Sequence, residues 1–138
     1  MRYYLDTNIL VFILSNAKDD INTQVVNKIF DYSNMLYASS IAINELILLY
    51  KTGKIELSEC KSAKDIIIQI KRYDIEIVYY NQLHLAKYID LKLAPDHKDL
   101  TDHAIIAQAI SDKIPLISSD HKFKNYVSQG LNFVYNKR

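Results

Sequence analysis

The sequence predicts an α/β protein whose central sheet is mostly parallel. Short apolar runs of strand length alternate with longer segments of helical periodicity along the whole chain. Strands separated by helices pair in parallel and are covered on both faces. Acidic residues also stand where predicted strands hand over to helices, the edge at which open α/β folds bind ligands. No linker, repeat or low-complexity tract interrupts the 138 residues, so residues 1–138 read as one domain with one core.

The elements follow in order. Tyr3-Tyr4-Leu5 opens as the first strand and runs directly into Asp6-Thr7-Asn8. Ile9 to Leu14 is apolar and follows Asn8, a candidate N-cap, so it turns into a short helix. Asp19-Asp20 precede an amphipathic segment with Ile21, Val25, Ile29 and Phe30 on one face. Polar residues 31–34 end it, and Met35 to Ala38 forms the second strand, closing at Ser39-Ser40. Ile43, Leu46, Ile47 and Tyr50 repeat at helical spacing, with Thr52-Gly53 as the stop. Ser58-Glu59 lead into another helix carrying Ala63, Ile66, Ile67 and Ile70, which ends near Tyr73-Asp74. Ile75 to Tyr79 is β-branched and strand-like. Residues 82–93 read as helix with Leu85, Ile89 and Leu93 aligned. Pro95 to Lys98 break the pattern, and Thr101 caps a helix that is apolar from Ala104 to Ile110 apart from Gln108. Ile114 to Ser118 and Leu131 to Tyr135 are the last two strands, and Pro115 is tolerated near a strand start.

Lys+Arg total 17 and Asp+Glu 16, a near balance that argues against a broad basic coat for non-specific nucleic-acid binding. Any basic surface is local. Lys51, Lys54, Lys61, Lys64, Lys71 and Arg72 form one group, which a solvated helix face explains, and the Lys137-Arg138 pair is too short to carry weight. Cys60 is the only cysteine, so neither an intramolecular disulfide nor a thiolate metal site forms within one chain. With no signal peptide and no apolar stretch of membrane-spanning length, the chain reads as cytoplasmic. Eleven tyrosines against four phenylalanines and no tryptophan suit amphipathic packing with hydroxyls at layer boundaries.

Four acids carry the chemistry. Asp6 ends the first strand, Glu45 lies in the early turns of the helix after the second, Asp102 opens a later helix, and Asp120 follows the strand ending Ser118-Ser119. In a parallel sheet all four map to one edge. Converging carboxylates repel one another and need protons or cations to remain together. Mg²⁺ or Mn²⁺ suits an all-oxygen set, and metal-assisted phosphodiester hydrolysis needs no side-chain nucleophile. Each acid alone has an ordinary reading. A first-turn Asp complements the helix dipole for roughly 0.3–1 kcal/mol, and Asp120 could cap a turn. Only the combination decides.

Supporting candidates surround them. Thr7 would orient Asp6 or cap the following turn, and Asn8 would hydrogen-bond across the site. Asp99, three residues before Asp102, suits capping or support. Ser119, with Ser39, Ser40 and Ser118, would meet substrate phosphate or cap helices. His84 and His97 show no metal-ligand spacing. His103 reads as a surface or helix-end residue, and His121 would at most touch substrate.

These residues carry a resemblance. Tyr4-Leu5-Asp6-Thr7-Asn8-Ile9-Leu10 resembles the opening motif of the PIN domain family. SIAINEL (40–46), DLTDHAIIAQA (99–109) and PLISSDHKF (115–123) resemble its second, third and fourth motifs in order. The likeness covers essentially the whole chain and is strongest to the single-domain VapC-type toxins of type II toxin–antitoxin pairs. It implies a three-layer α/β/α sandwich with about five strands. It also implies an Mg²⁺- or Mn²⁺-dependent endoribonuclease using Asp6, Glu45, Asp102 and Asp120, usually a homodimer, with a cognate antitoxin that blocks the acidic site. The third motif departs mildly: a common variant reads Asp-Pro-Phe-Asp-Arg, where this chain has Asp99-Leu100-Thr101-Asp102-His103. Competing expectations are a nuclease acting on DNA or in RNA processing, and a catalytically silent protein-binding domain.

Overall fold

A computed structural model describes residues 1–138 apart from the side chain of Lys18. The order is β1 (Arg2–Leu5), α1 (Thr7–Leu14), a 3₁₀ turn (Lys18–Asp20), α2 (Thr23–Ile29), β2 (Met35–Ser39), α3 (Ser40–Lys51), α4 (Lys64–Arg72), β3 (Ile75–Val78), α5 (Gln82–Asp90), α6 (Leu100–Asp112), β4 (Leu116–Ser118), a 3₁₀ helix (His121–Gln129) and β5 (Phe133–Tyr135). The five strands run β3-β2-β1-β4-β5, and every pairing is parallel. Helices flank the sheet as an α/β/α sandwich. No described helix is long and apolar enough to cross a membrane.

This strand order decides where a site can form. The chain first builds outward from β1 through β2 to β3, then returns to lay β4 and β5 on β1's other side. Connections after β1 and β4 therefore diverge, leaving a crevice beyond their carboxyl ends. Tyr4 pairs with Tyr37 on one side and Leu116 on the other, so β1 is buried on both flanks. Leu5, Ile9, Leu10, Leu46, Ile66, Ile106, Phe123 and Tyr126 belong to the one core beneath that crevice.

Helix α6 runs through the interior, with every residue from His103 to Ile110 buried. Its one buried amide is fully used. Gln108 accepts from the Ser39 hydroxyl, and its Nε2 donates to Val78 O at 3.0 Å and to the Tyr4 hydroxyl at 3.2 Å. Tyr4 donates in turn to Asp112, whose other oxygen lies 2.9 Å from His84 Nε2. Nδ1 of His84 accepts the Asn81 backbone N–H, so the Nε2 nitrogen carries the proton and donates to Asp112. Burial and the Asp112 carboxylate push the Tyr4 hydroxyl above the ordinary tyrosine range. One polar chain thus ties β1, β2, β3, α5 and α6 together.

Several local expectations shift. Asp6, not Asn8, caps α1, and Asp99, not Thr101, caps α6. Helix α4 starts at Lys64 rather than after Ser58-Glu59. On α5 the buried residue is His84, while Leu85, Ile89 and the following Leu93 face outward. A 3₁₀ helix over His121–Gln129 fills the stretch between the last two strands, to which the sequence pattern assigns no element. Its buried Phe123 and Tyr126 are three apart, the spacing that eclipses side chains in a 3₁₀ helix but not in an α-helix. Gly130 ends it at φ 106°, which side-chain-bearing residues rarely adopt.

Replacing Gln108 with Leu should lower unfolding free energy by about 1–3 kcal/mol, because Ser39, Val78 O and Tyr4 each lose a buried partner. Urea unfolding measures this, and an unchanged midpoint would show that the network contributes nothing.

Candidate metal centre

Asp6 leaves the end of β1 and caps α1 with its own side chain. It is 2 % exposed, and three donors surround it. Oδ1 accepts Thr7 N–H at 2.8 Å; Oδ2 accepts the Ser118 hydroxyl at 2.7 Å and Asn8 Nδ2 at 3.1 Å. A carboxylate offers about four acceptor positions, so these three donors leave one open. Asn8 also accepts Ser119 N–H at 3.2 Å, which ties the end of β1 to the end of β4.

The other acids arrive from different elements. Asp120 follows β4, donates its backbone N–H to the Ser118 hydroxyl at 3.0 Å and caps the 3₁₀ helix by accepting Lys122 N–H. Asp99 caps α6 by accepting from Thr101 N–H and Asp102 N–H. Asp102 stands in the first turn of α6, and Glu45 reaches in from α3. Asp6, Thr7, Asn8, Glu45, Asp99, Asp102 and Asp120 all line one cleft of about 400 Å³, with Val11, Phe12, Leu49 and Arg138 on its walls. Ser119 is near but otherwise engaged, its hydroxyl accepting Asn136 Nδ2 at 2.7 Å.

The electrostatics follow from the crowding. Burial, reinforced by the Asp102 charge and opposed by the Ser118 and Thr7 hydrogen bonds, pushes Asp6 up to about 7. Burial, with the charges of Asp99, Asp120 and Glu45, pushes Asp102 up to about 8. Burial also raises Glu45. The Thr7 hydroxyl opposes that rise from nearby, without meeting Glu45 in a well-formed hydrogen bond.

Two histidines depart from expectation. His97 is 3 % exposed, and its Nε2 lies 2.8 Å from Asp102 Oδ2 and 4.0 Å from Asp120 Oδ2. His97, Asp102 and Asp120 each present a ligand atom, and the three atoms lie within 4.8 Å of one another, a cluster suited to a divalent ion. Spacing in the sequence hid this, because the loop after Pro95 folds the ring back over α6. The signal available was a histidine in the break just before an acid-bearing helix. His103 is not a surface residue: it is 1 % exposed, and its Nε2 donates to His97 O at 2.7 Å. Its ring packs 5.1 Å from that of His97, which also meets Phe123 and Tyr126, each at 5.5 Å. An aromatic box therefore holds the His97 ring with Nε2 toward the acids. The exposed His121 makes no such contact.

The donor set fits a hard divalent cation. Oxygen ligands dominate, one nitrogen is at hand, and burial together with neighbouring carboxylates raises Asp6 and Asp102, a strain that a bound cation relieves.

Comparisons place this geometry. No curated protein matches the sequence. Among solved structures, the chain is similar to VapBC2 from Rickettsia felis bound to a DNA fragment from its promoter, with TM-score 0.69 and 20 % identity over 99 % of this chain and 100 % of that one. VapBC-1 from nontypeable Haemophilus influenzae gives TM-score 0.69 and 22 % identity over 98 % of each chain. FitAcB from Neisseria gonorrhoeae gives TM-score 0.62 and 18 % identity over 97 % of this chain and 96 % of that one. At such identities the likeness speaks for the fold. The PIN domain profile matches residues 3–128, and the chain belongs to the PIN domain family.

Proposed function

We propose that the protein is a divalent-metal-dependent endoribonuclease acting as the toxin of a toxin–antitoxin pair. The observation that carries the reading is the convergence of Asp6, Glu45, Asp102 and Asp120, from four separate elements, on one cleft at the strand crossover. The similarity to VapBC structures supports the toxin assignment, and with it a cognate antitoxin that covers the cleft. The outward apolar residues Leu85 and Ile89 of α5 suit contact with a second copy, in keeping with a homodimer.

Asp6, Glu45, Asp102 and Asp120 would hold Mg²⁺ or Mn²⁺, with His97 adding a nitrogen ligand. When bound, the ion supplies a Lewis acid that neutralises a phosphodiester and lowers the pKa of water. The chain's own residues do the positioning. Thr7 N–H, Asn8 and Ser118 hold the Asp6 carboxylate in one orientation and leave one acceptor position for a cation in the cleft that Asp6 lines. Asp99 has a supporting part: its Oδ1 accepts from Thr101 N–H and Asp102 N–H, which caps α6 and fixes the turn that carries Asp102. Asn8 and Ser118 act across the crevice and keep Asp6 and Asp120 in fixed register. Val11, Phe12 and Leu49 give the cleft an apolar wall that suits the sugar and base of a nucleotide better than a bare phosphate.

Three outcomes test this reading. Asp6→Asn and Asp102→Asn should each cut Mn²⁺-dependent cleavage of cellular RNA at least about 100-fold while circular dichroism stays unchanged. RNA digested equally by either variant would refute the site, and preferential cutting of single-stranded DNA would move the reading to a DNA nuclease. His97→Ala should weaken Mn²⁺ binding about 10- to 100-fold, and Mg²⁺ binding less, because imidazole favours the later metal. Isothermal titration with both ions decides it, and equal losses would deny His97 a ligand role.

The third outcome concerns pH. Asp6 and Asp102 keep protons in the fold up to about 7 and about 8, whereas the unfolded chain releases them near pH 4. Between these limits the folded state binds more protons. Stability in EDTA is therefore greatest below the unfolded value and falls as pH rises through the folded ones. Melting temperature should drop between pH 5 and pH 8 in EDTA, and saturating Mn²⁺ should remove the drop. A flat profile in EDTA would overturn the electrostatic account.

A further inference from the structure

The stretch after β5 lies beyond the residues matched to the family, yet it is locked against the cleft. Asn136 is fully buried and every hydrogen-bonding group of its side chain is used. Its Nδ2 donates to Asp20 O at 2.8 Å and to Ser119 Oγ at 2.7 Å, and its Oδ1 accepts Asn22 N–H at 2.8 Å. Its backbone N–H donates to Ser118 O at 2.8 Å. A buried amide satisfied on all sides specifies one geometry. Here it pins the chain to the end of β4, beside Asp120.

Two residues on, that clamp delivers Arg138. Its guanidinium lies 4.8 Å from the centroid of the Phe12 ring and 3.1 Å from Asp20 Oδ1, and its side chain lines the cleft that holds the acids. Stacking and the ion pair hold the planar group at the rim. A guanidinium has five N–H donors, and the side chain is 56 % exposed, so donors remain for a ligand. Lys122, whose charge also reaches Asp102, is differently placed: its ammonium donates to Asp96 O at 3.0 Å. A polyanion entering a cleft lined by carboxylates needs a fixed cation at its mouth, and the arginine fork matches two phosphate oxygens at once.

We propose that Arg138, positioned by the Asn136 clamp, grips a backbone phosphate of single-stranded RNA at the mouth of the acidic cleft. This rests on the endoribonuclease reading for the identity of the polyanion. Asn136 acts through Arg138 and is a positioning residue, whereas Arg138 touches the substrate.

The test compares wild type with Arg138→Ala, Arg138→Lys and, as a remote charge control, Lys64→Ala on α4. Binding of a short fluorescein-labelled single-stranded RNA is followed by anisotropy across a salt series, with Ca²⁺ in place of Mn²⁺. Cleavage of the same RNA is then followed with Mn²⁺. Arg138→Ala should bind at least about fivefold more weakly, with the slope of log affinity against log salt reduced by about 0.7. Arg138→Lys should recover part of the affinity, Lys64→Ala should match wild type, and melting temperature and Mn²⁺ affinity of Arg138→Ala should not fall. Equal affinity and slope for Arg138→Ala would overturn the inference, as would a loss matched by Lys64→Ala. RNA cut normally by Arg138→Ala also sinks it and leaves the nuclease reading intact. RNA bound in an Arg138-dependent way but never cut leaves the inference standing and sinks the nuclease reading.

Discussion

Everything at the crevice depends on a carboxylate buried at the end of the central strand. Asp6 is almost without solvent, and its ionised form is disfavoured by burial and by Asp102. Such a group is costly in a core unless hydrogen bonds and compensating charge accompany it. The chain supplies the hydrogen bonds from Thr7, Asn8 and Ser118, but Glu45, Asp99, Asp102 and Asp120 crowd the same cleft with like charge, and its one lining cation among the described residues, Arg138, is paired with Asp20. A site so built disfavours its own ionised carboxylates and is relieved by protons or by a cation. That tension is the physical content of the metal assignment.

The same residues that carry the site also hold the sheet together. Ser118 ends β4, donates to Asp6 and accepts from the Asp120 backbone, so one hydroxyl spans the crossover. Helix α6 bears Asp102 at one end, and at its middle Gln108 anchors the ends of β2 and β3. Ser39, held by Gln108, caps α3 and so helps set where Glu45 stands. Core and site share these elements: the helix that carries Gln108 also carries Asp102, and the Ser39 that Gln108 holds caps the helix that carries Glu45. The 3₁₀ helix extends this economy: Asp120 caps it, and its Phe123 and Tyr126 form the box around His97.

Much of this was legible in order along the chain. The strand candidates recurred as the five strands within a residue or two at most ends, and Gly53 sits at φ 74° just past α3, as a helix stop requires. Asp6, Glu45, Asp102 and Asp120 were readable because parallel strands point their carboxyl ends one way, so acids at strand-to-helix junctions share an edge. Caps were less legible. Asp6 and Asp99 each cap a helix from two residues before the expected Asn8 and Thr101, and nearby polar residues compete for that place on equal local terms. The aligned Leu85 and Ile89 marked a helix but not its buried side, and the helix stops at Asp90, so Leu93 lies beyond it. A buried His84 bonded to Asp112 outweighs their apolarity there.

The sequence by itself determined the class of fold, the succession of elements and the edge at which the acids gather, because these follow from periodicity and chain direction. Only the tertiary structure decided which side chains meet across long separations. His97 reaches Asp102 because the loop after Pro95 turns the ring into an aromatic box, and no spacing rule encodes that turn. Arg138, set aside in the sequence as part of a short terminal pair, gains its place from a buried Asn136 that bonds to residues more than a hundred positions earlier. Local patterns report what a segment prefers. Contacts between segments are settled by packing, by the pairing of buried polar groups and by the order of strands in the sheet.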